Sequence, residues 1–324
     1  MKPWEQHGGV IIIPRFDYNA PSSLLQHSHS GFLLTCTIKR EKSATKEAMS
    51  ILGKFVASVT TRTKEGSDSS DENSTSKRRK TCTDDVDGEH INGEESNDAD
   101  NSEDKPGNRS GEFPLSSAKI DTMEERNSVL SLVKLTRSGL LLFTFTRGTS
   151  FDTVNIVSEI FQSLESAGSS SPQWCHRIFP IQATCTLNEN ELRVVVSRLV
   201  LEFVNDKQNK LARPLKFAVG YNRRGIEETE MKVTKGTSPA SNLLDRNSCF
   251  STVAAAVKDV VPDSIVDLKS PELSVLVELL PLSGVPNGSL VVAVSVLPQN
   301  LVSTKPRLCV KALISNVKAK GGKH

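Results

Sequence analysis

Leu192-Arg193-Val194-Val195-Val196-Ser197-Arg198-Leu199-Val200-Leu201-Glu202-Phe203-Val204, followed after a polar break by Leu215-Lys216-Phe217-Ala218-Val219-Gly220-Tyr221, carries the fold assignment. In the first segment Leu192, Val195, Val196, Leu199, Val200, Phe203 and Val204 recur at the spacing of one helix face. Asn188 is placed to cap that helix, and Glu191 three residues later completes a capping-box-like pair. In the second segment Leu215, Phe217, Val219 and Tyr221 alternate with their neighbours, the two-residue period of a strand. Downstream, Phe250, Val253, Ala254, Val257 and Val261 outline a helix that ends before Pro262. Val275, Val277 and Leu279 mark a strand, Pro286-Asn287-Gly288 a turn, and the nearly continuous apolar run 290–297 a central strand. Upstream, a helix starts at Asp152, with Val154, Val157, Ile160, Phe161 and Leu164 at helical spacing, and residues 167–172 form a Gly/Ser-rich break. Phe179, Ile181, Ala183 and Cys185 share one face of a strand over 177–185, which Pro180 assigns to a sheet edge or a strand start. The alternation of helices and strands predicts an α/β domain over residues 148–297.

A second folded region precedes it. Phe32, Leu34, Cys36 and Ile38 alternate after Gly31, and residues 43–55 follow as a helix with Ala48, Ile51, Leu52 and Phe55 on its apolar side. Residues 129–135 are apolar, and Leu141, Phe143 and Phe145 share a strand face after the turn at Gly139. The expectation is a first domain over 30–147, preceded by a flexible lead-in over 1–29 and split by a long insert over 60–114. Within the insert Ser, Asp, Glu, Asn and Gly dominate. Its apolar content is too small to offset a chain entropy of ~1–2 kcal/mol per residue, so disorder is predicted. Residues 298–324 read as a basic C-terminal tail.

The net charge of +2 over 324 residues conceals an asymmetry. Residues 62–112 carry 15 Asp and Glu against 8 Lys and Arg, which leaves the rest of the chain at +9. Six cysteines without a CxxC pair suggest neither a disulfide framework nor a zinc site. No apolar run reaches the ~20 residues of a membrane span, and residues 1–9 do not resemble a signal peptide. Dinucleotide, P-loop, zincin, nucleophile-elbow and zinc-deaminase motifs are absent. A carboxylate-pair enzyme has no short motif and escapes such a search. Cys175 and His176 are adjacent on a predicted strand, where neighbours point to opposite faces, so a nucleophile–base pair is not expected. No cofactor, metal or small-molecule substrate is expected.

The positive signal is basic and aromatic. Arg177 opens one strand, Lys216 lies opposite Phe217, and Tyr221-Asn222-Arg223-Arg224-Gly225 closes another. Guanidinium groups pair with phosphate or stack on bases and Tyr offers a stacking plane, a set suited to RNA. Composition alone favours a solvated turn. Lys77, Arg78, Arg79 and Lys80, within the insert, suit a nuclear address, a phosphate-seeking patch or a charge-balanced tether.

These segments resemble the THUMP domain. His176-Arg177-Ile178-Phe179-Pro180-Ile181 with Cys185 is similar to its central strand, and Phe217-Ala218-Val219-Gly220-Tyr221-Asn222-Arg223-Arg224 continues the likeness. Val266-Asp267-Leu268-Lys269-Ser270-Pro271-Glu272, leading into Val275-Leu276-Val277-Glu278, resembles the family's ending and is its most specific element. Gly31-Phe32-Leu33-Leu34-Thr35-Cys36 and the helix after it resemble the ferredoxin-like domain that accompanies THUMP domains. The fold class implied is α/β (α+β), a split ferredoxin-like domain followed by a THUMP domain. THUMP domains are RNA-binding modules usually joined to tRNA-modifying catalytic domains, for which this chain shows no motif. The resemblance therefore implies a stand-alone, Tan-type adaptor, not itself an enzyme, that presents tRNA to an RNA cytidine acetyltransferase making N4-acetylcytidine. It implies RNA contacts at Arg177, Lys216, Tyr221, Asn222, Arg223 and Arg224. A nuclear or nucleolar location, with cytoplasmic presence also compatible, goes with the basic run in the insert. A cryptic tRNA-modifying enzyme and a protein-interaction scaffold without RNA are the alternatives. Residues 227–248 are a longer polar stretch than the family pattern expects.

Overall fold

A computed structural model describes residues 14–65, 129–146, 151–166, 171–209, 211–226, 245–286 and 289–313, with residues 57–65 as backbone alone. The bulk of the insert, including its basic run, and residues 227–244 and 314–324 lie outside the described residues. Strand β1 (Gly31–Cys36) is followed by helix α2 (Glu41–Glu65), strands β2 (Leu130–Val133) and β3 (Leu140–Phe145), helix α3 (Thr153–Ser166) and strand β4 (Cys175–Ile181). The sheet order is β2-β3-β1-β4, and β1 is antiparallel to both of its neighbours. A β-α-β-β-α-β chain in this order is ferredoxin-like. Alternation along the strands divides their side chains. Phe32, Leu34, Leu141, Phe143 and Ile178 meet α2 and α3, whereas Leu33, Leu142, Phe179 and Ile181 point to the opposite face.

That opposite face is covered by a second sheet. Strands β5 (Ala183–Thr186), β6 (Lys216–Asn222), β7 (Ile265–Val266), β8 (Leu273–Leu280) and β9 (Val291–Pro298) form it in the order β5-β9-β8-β6-β7. Strand β6 runs parallel to β7 and β8, while β9 is antiparallel to β8 and β5. Helices α4 (Glu189–Asn205) and α5 (Arg246–Val260) cover its outer face over a core that includes Phe217, Val275, Val294, Leu199 and Val253. The layers thus run helix, sheet, sheet, helix. Between the sheets, Leu33, Leu142 and Phe179 pack against Leu276, Leu280, Ala293 and Leu297. Strand β8, covered on both faces, is buried at every position, which accounts for its nearly unbroken apolar sequence.

Local chemistry sets the joints. The Asn188 side chain accepts from the Asn190 and Glu191 amides and caps α4. Glu191 reaches back to the amide and hydroxyl of Thr186, not to the cap residue. Glu47 on α2 accepts from the amides of Gln173, Trp174 and Cys175 and so anchors the start of β4. At Gly31 a Cβ would stand 2.1 Å from the Phe143 carbonyl oxygen, so no larger residue fits where β1 meets β3.

The structure differs from the sequence expectations at four places. The predicted strand over 177–185 is two strands. β4 ends at Ile181 in the first sheet, Gln182 bends, and β5 starts at Ala183 in the second. The Gln182 amide donates to Val294 and its side chain accepts from the Val296 amide, which holds the bend on β9. Burial continues on both sides of the bend, so the apolar alternation carries no mark of it. Consequently the first unit extends through α3 and β4, and the division at 147/148 falls inside it. Edge position for β4 is as Pro180 requires. The lead-in contains a helix, α1 (Ala20–Gln26), whose Leu24 is buried between the sheets. Helix α2 runs on to Glu65, through the first residues assigned to the insert. Finally, residues 299–313 are not a tail. A 3-10 turn (Gln299–Leu301) and the ribbon β10 (Val302–Ser303) with β11 (Cys309–Val310) close the inter-sheet layer, with Leu301, Val302, Val310 and Leu313 buried.

Candidate nucleic-acid interface

Strand β6 carries three of the six residues predicted to touch RNA, Lys216 at its start and Tyr221 and Asn222 at its end; Arg223 and Arg224 follow just beyond it. At 3.3 Å per residue the two ends of β6 stand ~20 Å apart. The structure therefore does not bring Lys216 together with the Tyr221–Arg224 group.

At the C-terminal end, Arg224 turns inward. Its backbone adopts a left-handed conformation, φ 51°, ahead of Gly225 at φ 82°. Its Nε donates to Oε2 of Glu278 at 2.6 Å, with the two side chains only 11% and 4% exposed. Its guanidinium lies 4.4 Å over the ring of Phe179 in β4. Asn222 donates through Nδ2 to the other oxygen of Glu278 at 3.3 Å. Glu278 is the charged residue of the face of β8 that meets the first sheet, which it shares with Leu276, Leu280 and Ser274. Burial pushes its carboxyl up, against the opposing pull of Arg224, Asn222 and Arg307. Arg224 is thus a clasp between the two sheets rather than a cation presented to a ligand. The residue expected to contact phosphate is engaged with Glu278 and Phe179 within the fold.

Arg177 is similarly engaged. From β4 its Nε donates to the Val310 carbonyl at 3.0 Å and fixes the C-terminal ribbon to the first sheet. The positive fields of Arg177, Arg224 and Arg307 reach Cys309, whose thiol is nonetheless pushed up, chiefly by burial. Tyr221 is half-buried against the second core, and Arg223 is half-buried. Arg223 contributes its charge to Asp245, which is held below the usual carboxylate range mainly by the Ser248 amide that it caps at the start of α5.

The N-terminal end of β6 is open. Lys216 is 47% exposed, and its Nζ stands 3.9 Å from Asp267. Asp267 accepts from the amides of Ser270 and Lys269, which hold its carboxyl below the usual range, and Lys216 and Lys269 add to the effect. The segment 266–272, quoted above for its resemblance, is therefore a tight turn that lifts Lys269 to the surface at this end of the sheet. Reading the sequence for strand ends passed over Lys269 and Arg307. Lys269 sits inside a motif already singled out, and that was the available signal.

Cys175 and His176 diverge as expected. The Cys175 thiol donates to the Ala44 carbonyl in the first core and burial pushes its pKa far up, whereas His176 meets the Thr37 hydroxyl at 3.1 Å on the surface. Among the described residues no cluster of three His, Cys, Asp or Glu side chains is arranged to hold a metal ion. Among the same residues no helix is long and apolar enough to cross a membrane.

No family model matches the chain, and no curated protein matches it. Among solved structures the chain is similar to a 4-thiouridine synthetase crystallised in complex with RNA and bound ATP. The identity is 13%, the alignment covers 58% of this chain and 40% of that chain, and the TM-score is 0.28. The chain thus spans less than half the length of that protein.

Proposed function

We propose that this protein is a non-catalytic tRNA-binding adaptor that presents tRNA to an RNA cytidine acetyltransferase for N4-acetylcytidine formation. The observation that carries this reading is the assembly of its THUMP-resembling segments. Residues 217–224 and 266–278 are separate in sequence and adjacent in one sheet, on β6, β7 and β8, beside a ferredoxin-like unit packed against them. Two units packed together offer a shape-complementary surface to a folded RNA, and exposed cations supply salt-dependent affinity. Of the residues named from the sequence, Lys216 and Arg223 remain the phosphate contacts in this reading. Tyr221 and Asn222 shape the loop, and Arg177 and Arg224 hold the units in register. Binding both tRNA and enzyme raises the effective concentration of one cytidine at the acetyltransferase active site. The basic run at Lys77, Arg78, Arg79 and Lys80 serves as a nuclear address, with the nucleus or nucleolus as the site of action.

The test is N4-acetylcytidine content in tRNA from cells lacking this gene, measured by nucleoside mass spectrometry. Loss of the modification, restored by the intact chain, is expected. Normal content without a second gene copy contradicts the adaptor. Modification of tRNA by the purified chain with an acetyl donor and no second protein contradicts its non-catalytic part.

A further inference from the structure

The ribbon β10–β11 and the turn 266–272 enclose a groove of about 880 Å³ at the end of the second sheet where β8 begins and β9 ends. Its floor includes Phe203, Leu211 and Val302, and its rim carries three lysines, Lys269, Lys305 and Lys311. Lys269 and Lys305 are exposed and Lys311 is half-buried. None of the three makes an ion pair among the described residues. The acidic side chain in the lining is Glu272, and both of its oxygens are engaged: Oε1 accepts from the Ala212 amide at 3.1 Å and Oε2 from the Lys216 amide at 3.1 Å. Its charge is therefore directed into the backbone, away from the lysines.

The walls are cross-linked. Gln299 donates through Nε2 to the Ser270 hydroxyl at 3.0 Å, and Thr304 donates to the Lys269 carbonyl at 3.4 Å. The Lys311 amide donates to Leu301. The turn and both arms of the ribbon are thereby fixed around one opening. Two exposed arginines of the neighbouring helix are, by comparison, paired within the fold. On α4, Arg193 pairs with Asp259 at 2.6 Å and Arg198 with Glu202 at 2.9 Å.

From this clustering we infer that the groove is a phosphodiester-binding site, in which Lys269, Lys305 and Lys311 contact successive backbone phosphates of an RNA. Three ammonium groups held around one concave surface, none of them in an ion pair among the described residues, match a polyanion that displaces condensed counterions. Gln208, Asn209 and Asn300 add amide groups able to bond phosphate or ribose hydroxyl oxygens. Lys216, whose backbone is hydrogen-bonded to Glu272, stands exposed beside the groove. The ribbon that builds one wall is the segment whose sequence reads as a tail, so the site exists only once the C-terminal chain is folded back.

This inference rests on the RNA-binding reading, and the experiment separates the two. Binding of the full chain to unmodified tRNA is measured by fluorescence anisotropy across a salt series. The triple variant Lys269→Gln/Lys305→Gln/Lys311→Gln is compared with wild type and with the control Arg193→Gln/Arg198→Gln. The groove predicts at least a tenfold loss of affinity at about 150 mM salt and a salt slope shallower by about 2–3 in the triple variant, with the control unchanged. Wild-type affinity and slope in the triple variant overturn the groove while leaving RNA binding intact. Failure of the wild-type chain to bind tRNA at about 50 mM salt overturns both readings. A second measurement needs no variant: lysine acetylation by a chemical reagent, read by mass spectrometry with and without tRNA. Protection of Lys269, Lys305 and Lys311 above that of Lys42 and Lys46 supports the site, and equal protection contradicts it.

Discussion

The two ends of strand β6 carry similar residues and use them in opposite ways. At the C-terminal end Arg224 is sequestered with Glu278 and stacked on Phe179, so its charge is spent within the fold. At the N-terminal end Lys216 and Lys269 face solvent around a turn held by Asp267. Basic residues at strand ends are therefore not one class. Whether a cation is buried in packing or left at the surface depends on where its carboxylate partner sits: register places Glu278 beside Asn222 across β6 and β8, inside the fold, whereas Asp267 meets Lys216 at 3.9 Å on the surface.

The comparison is broken most readily at the buried end. Glu278→Ala leaves Arg224 without its partner in a site nearly closed to water, and a cost of about 3–5 kcal/mol is expected in urea unfolding. A cost below about 1 kcal/mol would mean that the pair does not lock the sheets. Arg224→Ala should also destabilise, yet tRNA affinity per folded molecule should hold within about twofold. Lys216→Gln should behave in reverse, with unfolding free energy within about 0.5 kcal/mol of wild type and the salt slope of tRNA binding reduced by about 1. If Arg224→Ala lowers the slope and Lys216→Gln does not, the assignment of the two ends is inverted.

Much of the fold is legible in the sequence, whereas this contrast is not. The helix over 192–204, the strands ending at Tyr221 and Leu279, and the βα start at Gly31 follow from periodicity, because each element buries one face and the buried face sets the period. The bend at Gln182 was hidden because β4 and β5 are both covered, so apolar residues continue through it. The ribbon over 302–310 was hidden for another reason. It is too short to have a period, and it is held by hydrogen bonds to Arg177 and Leu301 that join residues distant in sequence. The same holds for the site. Residue type pointed to Arg177 and Arg224 as readily as to Lys216, since the partner that neutralises Arg224 lies 54 positions away.

Smaller effects sharpen the picture. Cys36, Cys185 and Cys249 are buried, and burial pushes their thiols up to about 11, 12 and 12. Iodoacetamide at pH 8 should leave them unmodified until the protein unfolds, while alkylation in the native state would show that the two cores open locally. The smallest effect concerns pH. Asp267 has a lowered folded-state pKa, so its contribution to stability is present above its unfolded value of about 3.9 and is lost as pH falls through the folded value. Asp267→Asn should therefore lower stability in the neutral region, where that contribution is present, and flatten the acid side of the profile below about pH 4. An unchanged acid limb would show that the turn carrying Lys269 does not depend on the carboxylate.

The most direct measurement is the binding isotherm of the intact, purified chain with unmodified tRNA between about 50 and 300 mM salt. If this polypeptide holds RNA through unneutralised lysines, the logarithm of its affinity falls linearly with the logarithm of salt, with a slope steeper than about −3. An affinity independent of salt, or no association in the most dilute buffer, would contradict it.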